Sequence, residues 1–205
     1  KYGLLLLAIT ALLYLPALKN EFNTWDDGPY LELNPNIELT KEHVKNSFLH
    51  GEYHRMYVPL TALSHSVVHH YFGFTPAPYY AVNIAIHLLN TAALIYLLSL
   101  LNFNFWVVLF TAALFALHPV QAESVAYAAG RRDVLYVLFY LPCLIFYVKY
   151  LSVKNRAGIY YGLAVLFALL ALLSKGQAIT IPAMLVLVGL YLGHSYRTKK
   201  FWLDK

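Results

Sequence analysis

The stretch "LLLLAITALLYLPALKNEFNTWDDGPY", residues 4–30, decides how the rest of the chain is read. Its first half is uncharged and apolar, matching a segment that enters a bilayer, whose core takes about 20 such residues. Its second half turns polar at Lys19 and soon carries two adjacent carboxylates, Asp26 and Asp27. A chain that changes character this sharply is leaving a membrane. The composition agrees: 60% of the 205 residues are hydrophobic and only 12% are charged, against roughly 25% charge in soluble domains. Tyrosine (18) and phenylalanine (12) are abundant, as the aromatic belts of membrane proteins require. The one cysteine, Cys143, lies in an apolar run, so there is no disulfide framework.

Working outward, six apolar segments qualify as spans: about 2–18, 77–101, 103–117, 134–151, 159–173 and 178–193. No small-x-small cleavage site precedes Lys19, so the first segment reads as an uncleaved span rather than a signal peptide. The expected fold is an all-α polytopic membrane protein, one module over residues 1–205. Two polar segments, 19–76 and 118–133, then share one face, and the short connections share the other. The short-connection face carries Lys1, Lys149, Lys154, Arg156, Arg197, Lys199, Lys200 and Lys205 against Asp204. The long-loop face carries nine acids and seven bases. By the positive-inside rule the long loops are extracytoplasmic, in a plasma membrane or the endoplasmic reticulum.

Within the first loop, Thr40 is placed to cap a helix from Lys41, with Glu42 in its first turn. Ile37, Val44 and Phe48 form one stripe of that helix. The segment "YVPLTALSHSVVHHYFGF" is apolar but rich in histidine, and both segments read as amphipathic helices in the membrane interface. His65 and His69 have metal-ligand spacing but no matching Cys or carboxylate nearby, so they read as the polar face of that helix. His87 and Asn90 lie inside a span and are expected to face the bundle. There is no phosphate loop, no CxxC or HExxH and no repeat, and nothing points to nucleic acid.

Three groups of residues could carry chemistry. Asp26 and Asp27 are either turn acids, since "WDDGP" is good turn chemistry, or a general base held at the membrane surface. "HPVQAESVAYAAGRRDVL", residues 118–135, holds His118, Glu123, Arg131, Arg132 and Asp133. Its arginines sit on the wrong face for an orientation signal, and a phosphate suits the guanidinium fork. Asp133 is the competing partner. Lys175, in "LLSKGQAITIP", falls by parity on the same face. Acids and cations facing away from the cytoplasm suit an energised donor that arrives through the bilayer, such as a lipid-linked sugar phosphate. The cations would hold the leaving phosphate, and a carboxylate would deprotonate the acceptor hydroxyl.

The motifs "EFNTWDDGPYLELNPNI", "YVPLTALS", "PYYAVNIAIHLLN", "FALHPVQAESVAYAAGRRDVL" and "LLSKGQAITIP" occur in this order. Together they resemble the membrane protein O-mannosyltransferases that carry tetratricopeptide repeats, and their prokaryotic relatives, of the GT-C glycosyltransferase class. The resemblance implies that Asp26 and Asp27 hold the catalytic base. It implies that His118, Pro119, Glu123, Gly130, Arg131 and Asp133 line the donor or acceptor pocket, and that Lys175 lies near the lipid phosphate. It implies a polyprenyl or dolichyl phosphate mannose donor and a Ser or Thr acceptor on a secreted or membrane protein; beyond that donor no cofactor is expected to be required, and the sequence leaves a divalent metal open. Further spans and a repeat domain would complete the family's module. Val58 stands where arginine is frequent in the family, and Gly176 where an acid is frequent. The competing reading is a non-catalytic lipid-binding or assembly subunit of a membrane complex.

Overall fold

A computed structural model describes residues 1–49, 52–53, 56–153 and 156–194, with backbone alone for 52–53. Lys154, Arg55, the side chain of Glu52 and the basic cluster 197–205 lie outside the described residues. The protein is an all-α polytopic membrane protein. Its helices are α1 (Tyr2–Tyr14), α2 (Lys41–Leu49), α3 (Pro59–Phe72), α4 (Pro76–Leu100), α5 (Phe105–Leu117), α6 (Gln121–Val125), α7 (Arg131–Ser152), α8 (Ala157–Ser174) and α9 (Ile181–Tyr191). Between α2 and α3, Glu52–Tyr53 and Met56–Tyr57 form a two-residue antiparallel ladder.

Among the described residues, four helical stretches are long and apolar enough to cross a membrane: Tyr2–Lys19, Pro76–Leu100, Ala128–Ser152 and Ala157–Ser174. The other two segments read as spans, 103–117 and 178–193, form shorter apolar helices, Phe105–Leu117 and Gly176–Tyr191. Thirteen residues of α5 reach only about 20 Å, less than a core of about 30 Å. Local chemistry sets the ends. Pro76 occupies the first turn of α4, where its missing N–H costs nothing. The turn after α4 uses Asn102 at φ 59°, and Asn104 Oδ1 caps α5 by accepting from Trp106 N at 2.9 Å. Thr40 caps α2 as expected, its Oγ1 accepting from His43 N at 3.1 Å. Ile37 lies before that helix and packs instead with Leu31, Val68 and Tyr79.

Polar side chains inside the bundle fix its register. Asn83 Nδ2 donates to Tyr127 O at 2.7 Å, and Asn90 Nδ2 donates to Val134 O at 2.8 Å. These two bonds make α4 run parallel to the start of α7. The His87 ring meets Ala116 O at 3.1 Å, so α5 returns antiparallel along α4, and His87 and Asn90 face the bundle as expected. In hydrocarbon such groups need internal partners, and association relies on close packing rather than apolar burial. Small residues accordingly sit at the contacts: Ala112, Ala116 and Ala171 are wholly buried. Leu4, Leu12, Trp106 and Phe110 point outward, as lipid-facing residues do. The ends of α1, α5 and α8 and the starts of α4, α7 and α9 therefore gather at one end of the bundle. Both polar segments lie there.

Helix α3 does more than skim an interface. Thr61, Ala62, His65, Ser66 and Val68 are buried, and Thr61 Oγ1 donates to Ser174 O at 2.9 Å, tying α3 to the end of α8. Its other face, with Val67, Tyr71 and Phe72, is exposed. Helix α7 also begins before the expected span at 134: Arg131, Arg132 and Asp133 form its first turn. Partners from distant segments, Asn83, Asp26 and Lys175, meet these side chains, so the helix continues through a cluster that would otherwise end a span.

Candidate functional site

The site is assembled from residues 22–30 and 127–133 and the end of α8. Asn23 starts the first turn: its Oδ1 accepts from Trp25 N at 2.7 Å, the local chemistry that asparagine brings to turns. Its own N–H donates to Asp27 Oδ2 at 2.9 Å. The other oxygen, Asp27 Oδ1, accepts from Ala129 N at 2.8 Å. Asp27 is wholly buried, and it stitches the first polar segment to the second. Burial pushes its carboxyl up from the ordinary range, and the two backbone N–H bonds work against that rise.

Asp26 faces the other way. Its N–H donates to the Tyr127 hydroxyl at 3.0 Å, and its Oδ2 accepts from Arg132 NH2 at 3.5 Å. The Asp26 side chain is 38% exposed, against 18% for Arg132. Arg132 also donates to the Tyr30 hydroxyl at 2.6 Å and stands 5.1 Å over the Tyr30 ring. Burial raises the Tyr30 hydroxyl above its usual range, opposed by the Arg132 charge. Asp133 Oδ2 lies 3.8 Å from Arg132 Nε, and Asp133 Oδ1 ion-pairs with Lys175. Asp26, Arg132, Asp133 and Lys175 thus form one line of alternating charge across three segments of the chain. Gly176 leaves Lys175 without an acid beside it in sequence, and Asp133 takes that place.

The two arginines do not act as a pair. Successive helical residues diverge by about 100°, which sends Arg131 inward. Arg131 is wholly buried; it donates to Asn83 Oδ1, to Tyr79 O at 2.9 Å and to Ser64 Oγ at 3.5 Å. It joins α4, α3 and α7, with neutral acceptors on every side. His65, stacked beside it on Tyr79 with ring centroids 5.9 Å apart, is held well below the usual histidine range by burial and then by the Arg131 charge. Its imidazole is therefore neutral. Among the described residues no three His, Cys, Asp or Glu side chains group as metal ligands.

His118 and Glu123 are exposed, and no hydrogen bond or ion pair among the described residues joins their side chains to the line of charges. The main chain of Glu123 matters more. A Cβ on Gly130 would stand 2.7 Å from the carbonyl oxygens of both Glu123 and Ser124. That contact explains the glycine of "GRRD": α6 packs directly under it. Gly130→Ala is expected to cost about 2–3 kcal/mol, read as a lower midpoint of thermal aggregation in mild detergent. A double-mutant cycle of Asp133→Asn with Lys175→Met is expected to give a coupling of about 1–2 kcal/mol in chemical unfolding. A coupling near zero would break the line of charges at that link.

Tyr30, Tyr127 and Asn83 escape a reading of the sequence. All three stand in the quoted motifs, but 18 tyrosines hide the first two. Asn83 sits four residues before His87 on the same helix face, and this is the signal that marks it.

No family model matches the chain, and no solved structure matches it. Curated proteins do. Protein O-mannosyl-transferase TMTC2 of Mus musculus is 29% identical over 94% of this chain and 24% of its own length. Protein O-mannosyl-transferase TMTC1 of Homo sapiens is 32% identical over 75% of the chain and 18% of its own length. Protein O-mannosyl-transferase TMTC4 of Homo sapiens is 30% identical over 62% of the chain and 20% of its own length. The chain spans about a quarter or less of the length of these relatives. Motifs, helical membrane architecture and matched relatives agree: over most of its own length the chain is similar to the protein O-mannosyl-transferases TMTC1, TMTC2 and TMTC4.

Proposed function

We propose that the chain forms part of a lipid-phosphate-sugar-dependent glycosyltransferase of the GT-C type, working on the extracytoplasmic or lumenal side of its membrane. It moves a mannosyl residue from a polyprenyl or dolichyl phosphate to a Ser or Thr hydroxyl of a secreted or membrane protein. The observation that carries the reading is the half-exposed carboxylate of Asp26, 3.5 Å from Arg132 at the polar end of the bundle. The relatives' printed names supply the mannose and the protein acceptor. Lys1, Lys149 and Arg156 lie at the opposite end of the bundle, which supports the orientation.

In this reading the acceptor oxygen attacks the anomeric carbon while its proton passes to an oxygen of Asp26. The bond between the anomeric carbon and the phosphate oxygen breaks, and the lipid phosphate leaves with the electron pair. Arg132 holds that phosphate, and Lys175, steadied by Asp133, adds charge behind it. Asp27 keeps Asp26 in place by tying the two polar segments together. Arg131 holds the start of α7 so that Arg132 points outward.

Membranes carrying the full-length protein, radiolabelled polyprenyl-phosphate-mannose and total secreted protein test the reaction. Label should reach protein in a form released by β-elimination. Absence of transfer from polyprenyl phosphates of mannose and of other sugars alike would sink the enzyme reading and favour a lipid-binding subunit.

A further inference from the structure

Besides the line of charges, the same end of the bundle carries a groove of about 390 Å³, within the range of about 300–1,000 Å³ usual for ligand clefts. One wall is the turn Leu15–Lys19 and its flank, contributing Pro16, Ala17 and Asn20; the other contributes Leu117, Ala122 and Ala126. Leu13, also in the lining, is 52% exposed on the outward side of α1, so the groove opens toward hydrocarbon. Alanines and prolines keep it open where larger side chains would fill it. Polar residues of both signs adjoin its lining in sequence, the exposed acids Glu21 and Glu123 as well as two basic side chains. Asn20 is followed back along the chain by exposed Lys19, and exposed His118 precedes Pro119 of the lining. His118 Nδ1 accepts from Val120 N at 3.2 Å, which leaves Nε2 to carry a proton outward. Neither Lys19 nor His118 ion-pairs with a carboxylate among the described residues.

Both walls run straight on into the site. Six residues lead from Asn20 to Asp26, and six lead from Ala126 to Arg132. Either path covers at most about 20 Å when fully extended.

We infer that this groove seats the prenyl chain of the lipid donor next to its phosphate, with Lys19 and His118 at the point where the chain gives way to the anionic head. The inference rests on the proposed use of a lipid-phosphate donor. An apolar body, two neighbouring basic side chains that form no ion pair among the described residues, and continuity with the cationic site match one ligand chemistry, a long hydrocarbon chain ending in a phosphate. The assignment also gives His118, exposed and away from the line of charges, a role.

The test uses full-length protein in its membranes and a polyprenyl phosphate bearing a diazirine near the phosphate end. After irradiation, cross-links are expected on residues 13–20 and 117–126. Ala122→Leu, at an exposed lining position, should lower that labelling about ten-fold and raise the KM for the mannosyl donor with kcat little changed. Ser99→Leu fills the cavity at the far end, lined by Gly3, Ile95 and Ser99, and should change neither. Cross-links elsewhere, with transfer intact, would overturn the groove and leave the reaction standing. Loss of groove labelling to excess phosphatidylglycerol as readily as to unlabelled polyprenyl phosphate would overturn the prenyl assignment. Groove labelling without any sugar transfer would keep the groove and remove the reaction.

Discussion

Asp26→Asn is expected to lower mannosyl transfer by about 10²–10⁴-fold, the usual contribution of a positioned general base, while the protein folds as before. The amide keeps an oxygen for Arg132 and does not touch the backbone N–H that bonds Tyr127. It cannot take a proton from the acceptor hydroxyl. Asp27→Asn should behave differently, although the two residues are neighbours. Both Asp27 oxygens accept from backbone N–H groups in a fully buried place. An amide there turns one donor toward another donor, at a cost of about 1–3 kcal/mol for the unsatisfied groups. The Asp27 variant should therefore lose stability and yield, with residual kcat per folded molecule well above that of the Asp26 variant. Transfer assays normalised to monodisperse protein separate the two cases. Equal turnover of Asp26→Asn and wild type would remove Asp26 from the reaction.

Arg132→Ala should raise the KM for the lipid donor about 10–100-fold, as loss of a charged hydrogen bond of roughly 1.5–3 kcal/mol implies. Arg132→Lys keeps the charge and loses the planar fork, so it should recover only part of the affinity. Arg131→Ala is the contrasting case. Removing a wholly buried side chain that bonds Asn83, Tyr79 and Ser64 should cost folded yield first, with donor KM preserved in whatever protein folds. Unchanged donor affinity in Arg132→Ala would dissociate the phosphate from this arginine. A donor KM that rises only in Arg131→Ala would reverse the roles assigned to the pair.

Much of the architecture is legible without coordinates. The uncharged runs exceed what a soluble helix needs, and the alternation of long and short connections brings residues 19–76 and 118–133 to one end of the bundle. Thr40, Pro76 and Asn104 act through local chemistry, so their roles at helix ends follow from adjacent residues. Span boundaries are less legible where charges occur. Arg131, Arg132 and Asp133 look like the edge of a loop until Asn83, Asp26 and Lys175 are brought beside them.

The sequence by itself determined that this is a multi-span membrane protein, that Asp26, Asp27, Arg131 and Arg132 collect at one end, and which family it resembles. Those properties depend on composition, periodicity and motif order, which are local or additive along the chain. Only the tertiary structure separated the members of each adjacent pair. It set Asp27 inward as a tie between backbones and Asp26 outward toward Arg132. It also buried Arg131 wholly and left Arg132 partly exposed beside Asp26. Neighbouring residues of one type are equivalent by composition. They differ because a turn and a helix point them in different directions, and low-dielectric burial gives those directions opposite chemical consequences.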